Sequence, residues 1–450
     1  MVIRILLCGF LLGGALVADE PAPKETPTVI IVFGATGDLA SKKIIPALSR
    51  LAEGQGGKPF AVIGVGRRDF THEQLRGYFP AIGDKLRSRL FYTRVDLDRS
   101  DTFGNLKHSI EEIEGRFGAK ANRLFFLATQ ASYFAPIVNE IEKQGLLHPL
   151  EGKEWSRVMV EKPFGRDLSS AVELQKSLEK TLDESQLYRI DHYLGKPGVE
   201  GLAAFRQEGK FEAVWNREHI DHIQISFSEK IGIGTRAQFW EETGLLRDVF
   251  QNHLMQLLAF TASDLPLDPS SKIRVLNAVR PAEKKVLGQY GPGNGAAGYA
   301  DEPGVPENSQ AETFAAGQFW IDNERWKGVP FYIRAGKRMA EQTVLITAVF
   351  KDGNQLSFRI QPEPAVFLGK EKIASFPDGP ESYETLFADC LRGDQSRFVS
   401  KEEHFAAWRI IAPLIESNEP LRLYPSGTTG PAEADRLISE DGREWLDLVF

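Results

Sequence analysis

The residues around position 34 are of the type and spacing that bind phosphate. The apolar run 29–33 (VIIVF) leads directly into Gly34-x-x-Gly37-x-x-Ala40, and Ile44, Ile45, Ala47, Leu48 and Leu51 then recur at helical spacing. Strand, glycine turn and helix in this order make a relaxed dinucleotide fingerprint. Glycine lets the backbone approach a pyrophosphate, and the free N–H groups at the start of the helix receive the anion. Gly34, Thr36, Gly37, Asp38 and Leu39 are therefore expected to line a dinucleotide. Arg67 and Arg68 end the second apolar run, where a site for NAD would place an acid against the ribose 2′-hydroxyl. A planar, permanently charged fork suits a 2′-phosphate instead. NADP is thus the expected cofactor, with Arg67 and Thr36 as its contacts; surface arginines with no task are the alternative.

Three further segments concentrate ionisable side chains. Glu161-Lys-Pro-Phe-Gly165 follows a short apolar run, and Arg189-Ile-Asp-His-Tyr-Leu-Gly-Lys196 crowds Arg189, Asp191, His192, Tyr193 and Lys196 into eight residues. In Gly244-Leu-Leu-Arg-Asp-Val-Phe-Gln-Asn-His253, Asp248 and Asn252 lie four apart on one helical face, and His253 lies five from Asp248. They could line one wall of a pocket, with Gln251 beside them. Singly, each has an ordinary structural reading: a satisfied core histidine for His253, a cap or ion pair for Asp191.

The elements that position these residues follow from periodicity. Apolar runs at 29–33, 60–65, 90–95, 123–128 and 158–160 alternate with amphipathic stretches, which predicts a Rossmann-type α/β domain over 29–197 with a doubly wound parallel sheet. From 198 to 450 the pattern changes. Period-two runs at 220–227 and 343–350 predict an α+β domain with a large, mainly antiparallel sheet, 241–263 reads as one long amphipathic helix, and 288–307 as a Gly/Pro-rich loop.

The chain has 450 residues, 42% of them hydrophobic, and 54 Lys+Arg against 62 Asp+Glu give a net charge of −8. This excludes a disordered or collagenous protein and argues against a nucleic-acid partner. Cys8 and Cys390 supply neither a disulfide framework nor a zinc site, and no metal is expected. Residues 1–18 (MVIRILLCGFLLGGALVA) have the form of a signal peptide, with 19–28 as a linker. An uncleaved anchor and a misassigned start codon are the alternatives.

Together these segments resemble the glucose-6-phosphate dehydrogenase family from about residue 29 to the C-terminus. The resemblance is carried by FGATGDLASKKIIPAL, IGVGRR, EKPFG, RIDHYLGK, WNREHI, GLLRDVFQNHL, ETFAA, GVPFYIRAGKRM and YPSGTTGPAEA. It implies NADP-linked oxidation of glucose 6-phosphate at C1 to a lactone, in the oxidative branch of the pentose phosphate pathway. It makes His253 the general base, Asp191 its orienting partner, and Lys162 the lysine between cofactor and sugar. His192, Tyr193 and Lys196 become the sugar-phosphate clamp, and Glu229, Asp248 and Lys337 further substrate contacts. A homodimer or homotetramer is implied as well. Relatives are cytoplasmic, whereas the leader suggests export.

The chain departs from the family pattern at three places. Gln342 stands where a second phosphate-binding cation is usual, with Arg338 as its candidate substitute; Gln130-Ala131 replaces a Pro-Pro pair, and Pro197 a Glu. Two alternatives follow: a broader hexose dehydrogenase acting on unphosphorylated sugar, and an exported, non-catalytic sugar- or nucleotide-binding relative.

Overall fold

The computed structural model describes residues 26–54, 60–377 and 379–448. The leader at 1–18 lies outside the described residues. Among those described, no helix is long and apolar enough to cross a membrane.

The first half forms a six-stranded parallel sheet from β1 (Thr28–Phe33), β2 (Phe60–Gly66), β3 (Leu90–Arg94), β4 (Asn122–Leu127), β5 (Ser156–Val160) and β6 (Leu187–Arg189), in the order β3-β2-β1-β4-β5-β6. β1 is buried throughout because both of its faces are covered. Ile30 and Val32 enter one apolar core, and Val29, Ile31 and Phe33 the other, as the two-residue period of a strand requires. The strand order reverses between β1 and β4, which opens a crevice at their C-terminal ends. One of the two cores is completed from far along the chain. Helix Ser382–Arg392 brings Tyr383, Leu386, Phe387 and Cys390 into it, with Phe387 5.3 Å from Phe126.

The second half forms a ten-stranded mixed sheet from β7 (Ile220–Ser228), β8 (Val279–Arg280), β9 (Lys285–Gly291), β10 (Phe314–Ile321), β11 (Phe331–Gly336), β12 (Thr343–Phe350), β13 (Gln355–Gln361), β14 (Ala365–Leu368), β15 (Glu371–Ser375) and β16 (Arg422–Pro425). It is mostly antiparallel, but β7 runs parallel to β11, and β9 to β16.

Two sequence expectations are corrected. The loop expected over 288–307 begins only after Gly291, because β9 is stitched between β10 and β16. The long helix over 241–263 is three pieces: Ala237–Leu245, a π-helical stretch Leu246–Leu254, and Met255–Ala262. The break falls at Gly244, whose φ of 62° is open to glycine and strained for other residues.

Candidate active site

β5 and β6 are neighbouring parallel strands, so the segments leaving their C-terminal ends lie side by side. Lys162 leaves β5, and Asp191 leaves β6. Asp191 caps the short turn His192–Gly195, its Oδ1 accepting the Tyr193 N–H at 3.0 Å, which orients the carboxylate. The same oxygen lies 2.5 Å from Nδ1 of His253, which arrives on the π-helical stretch. A π-helix closes i→i+5 hydrogen bonds and turns more slowly than an α-helix, so residues five apart fall on the same side of it. Asp248 and His253 accordingly meet one cation. The Lys162 ammonium is 2.7 Å from the Asp248 carbonyl oxygen, 3.0 Å from its Oδ1 and 3.1 Å from His253 Nε2.

These partners dictate the protonation of His253. An ammonium only donates and a carboxylate only accepts. Nε2 must therefore accept from Lys162, while Nδ1–H donates to Asp191, leaving a neutral ring. Burial, reinforced by the Lys162 charge, holds the imidazole below the usual histidine range despite Asp191. Burial pushes the Asp191 carboxyl up, but the facing His253 ring, with His192 and Lys162 beyond it, brings it down below the carboxylate range. Its Oδ2 is buried without a partner among the described residues.

The residues expected to clamp a phosphate surround this pair. His192 packs edge-on against His253 with ring centres 4.7 Å apart, and Tyr193 lies 4.2 Å from the same ring. Lys196 Nζ sits 3.9 Å above Tyr193 and is hydrogen-bonded to Gln361. Burial lowers its pKa to about 8. Lys337, at the end of β11, is paired with Glu229 at 2.6 Å and lies 4.7 Å over the Trp240 ring. Glu229 is close enough to act electrostatically on Tyr193 and Lys196, and Lys337 on Asp248. The structure thus gathers Lys162, Asp191, His192, Tyr193, Lys196, Glu229, Asp248, His253 and Lys337 in one place. Gln251 and Asn252 are not in it: Gln251 binds the buried His404, and Asn252 the carbonyl of Arg247.

The glycine turn lies at the crevice between β1 and β4. Gly34 has φ 77°, and a Cβ there would collide with the Ala128 carbonyl at the end of β4. Glycine is therefore required here for the turn to pack against the end of β4. A side chain on Gly66 would approach Thr36 Oγ1, so Thr36 and the Arg67 segment border the same space. Arg67 is exposed and makes no hydrogen bond or ion pair among the described residues, whereas Arg68 packs over Phe70 and Tyr78. Asp38 is exposed and pairs with Lys42 at 2.7 Å, while Leu39 is half-buried. A cradle of glycine backbone with an available guanidinium fits a phosphorylated dinucleotide.

Ligand atoms of Asp191, His192 and His253 lie within 4.8 Å of one another, a spacing that could hold a metal ion. Nδ1 of His253 and Oδ1 of Asp191 are already bonded to each other.

The residues 31–201 match the family model "Glucose-6-phosphate dehydrogenase, NAD binding domain", and 204–446 match "Glucose-6-phosphate dehydrogenase, C-terminal domain". The chain belongs to the glucose-6-phosphate dehydrogenase family. It is 37% identical to glucose-6-phosphate 1-dehydrogenase of Chlamydia pneumoniae, with 94% of this chain and 96% of that one covered. Against the Bacillus subtilis enzyme it is 36% identical, with 94% and 99% covered. A solved glucose-6-phosphate dehydrogenase in complex with its substrate glucose-6-phosphate superposes with a TM-score of 0.85 at 33% identity, over 95% of this chain and 100% of that one.

Within this family frame, four buried or half-buried side chains at the site went unread in the sequence. Glu161 carries a buried Oε1 with no partner among the described residues; burial raises its carboxyl to about 7, against the pull of the nearby Tyr383 hydroxyl and Lys162. Tyr383 lies parallel to His192, ring centres 6.4 Å apart. Gln361 holds Lys196, and His404 bonds the Phe164 carbonyl at 2.7 Å, bracing the EKPFG turn. Glu161 was within reach, as the first residue of a motif already singled out. Tyr383, Gln361 and His404 stand 153 or more positions from the site and motif residues they touch, and no local spacing announces them. At the departures from the family pattern, Gln342 accepts the Lys230 N–H at 3.0 Å. Arg338 is held by Glu302 at 3.1 Å, so the expected substitute cation is engaged elsewhere. Pro197 takes the first position of helix Pro197–Gln207, where a missing N–H costs nothing.

Proposed function

We propose that this protein oxidises glucose 6-phosphate at C1 to 6-phosphogluconolactone, with NADP as hydride acceptor and His253 as general base. The observation that carries the reading is the placing of His253 between Asp191 at Nδ1 and Lys162 at Nε2, which favours a neutral ring with its proton on Nδ1. Nε2 is then the basic nitrogen, and it takes the proton of the C1 hydroxyl. Asp191 holds the tautomer and stabilises the imidazolium that forms. Lys162 orients Asp248 and His253 beside the cofactor, and its charge eases proton release from imidazolium. His192, Tyr193 and Lys196 take the phosphate dianion, while Glu229, Asp248 and Lys337 take sugar hydroxyls. NADP supplies the acceptor carbon when bound, held by the turn at Gly34, Thr36, Gly37, Asp38 and Leu39, with Arg67 on the 2′-phosphate. The division into a dinucleotide unit at 29–197 and a substrate unit at 198–450, and assembly as a homodimer or homotetramer, belong to the same reading.

The deciding experiment follows NADPH absorbance with purified protein and glucose 6-phosphate; no reduction of NADP overturns the proposal. A second reading, a broader hexose dehydrogenase, is favoured by Gln342 together with the engagement of Arg338 by Glu302. Near-equal kcat/KM for glucose and glucose 6-phosphate would support it and sink the first.

Two substitutions separate the binding roles. His192→Ala removes a donor to the phosphate and is expected to raise KM for glucose 6-phosphate about 10–100-fold with kcat changed less, as for one charge-assisted contact. Arg67→Ala is expected to raise KM for NADP by about tenfold or more while leaving KM for NAD nearly unchanged, since NAD lacks the 2′-phosphate. Equal effects on both dinucleotides would remove Arg67 from the 2′-phosphate.

A further inference from the structure

The ETFAA segment has no part in the mechanism above, yet its first residue reaches the start of the helix that carries the base. Glu312, on the approach to β10, is buried; its Oε1 accepts the Leu246 N–H at 2.9 Å. Its backbone oxygen accepts the Leu245 N–H at 3.1 Å and the Trp240 indole N–H at 3.2 Å. A Cβ on Gly244 would run into both carboxylate oxygens, one of them only 2.6 Å away. The helix therefore breaks at Gly244 around this carboxylate, and the π-helical stretch begins two residues later. A carboxylate on the first free N–H of a helix satisfies an orphan donor and complements the helix dipole. The next residue extends the arrangement: the Thr313 carbonyl accepts the Lys337 N–H at 2.9 Å, and Trp240 lies beneath the Lys337 ammonium.

We propose that Glu312 is a positioning residue for the reaction. Through the Leu246 N–H it sets the register of the stretch Leu246–Leu254, so that Asp248 Oδ1 and His253 Nε2 both meet Lys162. The inference rests on His253 being the base, and its tests separate the two ideas. Glu312→Gln keeps an acceptor oxygen at the same reach, whereas Glu312→Asp keeps the charge but draws it back by one methylene.

In the full chain, Glu312→Asp is expected to lower kcat about 10–100-fold, the scale of a misplacement near 1 Å. KM for NADP should stay within about twofold, because the crevice between β1 and β4 is untouched. Glu312→Gln is expected to recover most of the lost kcat. Hydrogen exchange gives a readout independent of activity: amides of 245–254 should exchange about tenfold faster in Glu312→Asp, with those of β1 unchanged. Wild-type kcat in Glu312→Asp, equal impairment in Glu312→Gln, or unchanged exchange over 245–254 would each overturn the proposal. An unaltered chain without glucose 6-phosphate oxidation would overturn the function instead, and the exchange measurement would still decide the role of Glu312 in helix register.

Discussion

His253→Asn is expected to lower kcat by about 10²–10⁴-fold, the usual worth of a positioned general base, with KM for glucose 6-phosphate little changed. Asparagine fills much of the same volume, and its amide N–H can still donate to Asp191, so the buried carboxylate keeps a partner. What is lost is the lone pair at Nε2, the atom 3.1 Å from Lys162. A proton then has no acceptor as the hydride leaves, and the loss falls on the transition state rather than on binding. Asp191→Asn should act through the same atom, because an amide no longer dictates the Nδ1–H tautomer. The double variant is expected to cost little more than the worse single one, since the two residues work as a unit. Steady-state kinetics on the three proteins checks this; undiminished turnover in His253→Asn would remove it from the chemistry.

Lys162→Met is expected to lower kcat/KM by about 10²–10³-fold, comparable to deleting one preorganised donor at a reaction centre. Its diagnostic is the pH profile. The Lys162 charge is one cause of the depressed pKa of His253. Without it the imidazole titrates at higher pH, and the rising limb of kcat/KM should move upward. Glu161, held down in part by Lys162, should titrate higher as well. Stability changes with a definite sign. Burial pushes the Asp248 carboxyl up, but Lys162 and then His253 bring it below its ordinary value. That pair stabilises the fold above the unfolded carboxylate pKa, and the contribution fades as pH falls through the folded one. The variant should therefore be most destabilised near neutrality, with the deficit shrinking in acid. Breaking one side of a mostly buried pair sets an upper scale of about 3–5 kcal/mol, less here because both side chains keep some exposure, 19% and 15%. Thermal melts at several pH values would show it, and a rising limb left in place would separate Lys162 from the base.

Much of this was legible in the sequence because it is local. A five-residue apolar run rich in β-branched side chains, a glycine where φ must be positive, and two arginines at a strand end are properties of neighbours in the chain. They located β1, the turn at Gly34 and the expected NADP contacts. RIDHYLGK and EKPFG were recognisable because strand ends and short turns carry their side chains at constant spacing. The helix expected over 241–263 failed for the opposite reason. What breaks it is the carboxylate of Glu312, 68 residues beyond Gly244, and no periodicity within the helix records that visitor. The same break starts the π-helical stretch in which Asp248 and His253, five apart, reach a single ammonium, while Asn252, which the sequence placed on the same pocket wall, turns to the Arg247 carbonyl. Arg338 looked available as a second phosphate cation, and only the fold shows Glu302 holding it.

The amino-acid sequence by itself determined the two kinds of sheet, the glycine cradle and the identities of the residues that meet at the site, since these depend on side-chain type and short-range spacing. Tertiary structure alone decided how those residues are charged and aimed. The neutrality and tautomer of His253, the raised pKa of Glu161 and the brace from His404 all come from burial and from partners distant in the chain, and burial is set only once the two sheets and the helices between them have packed.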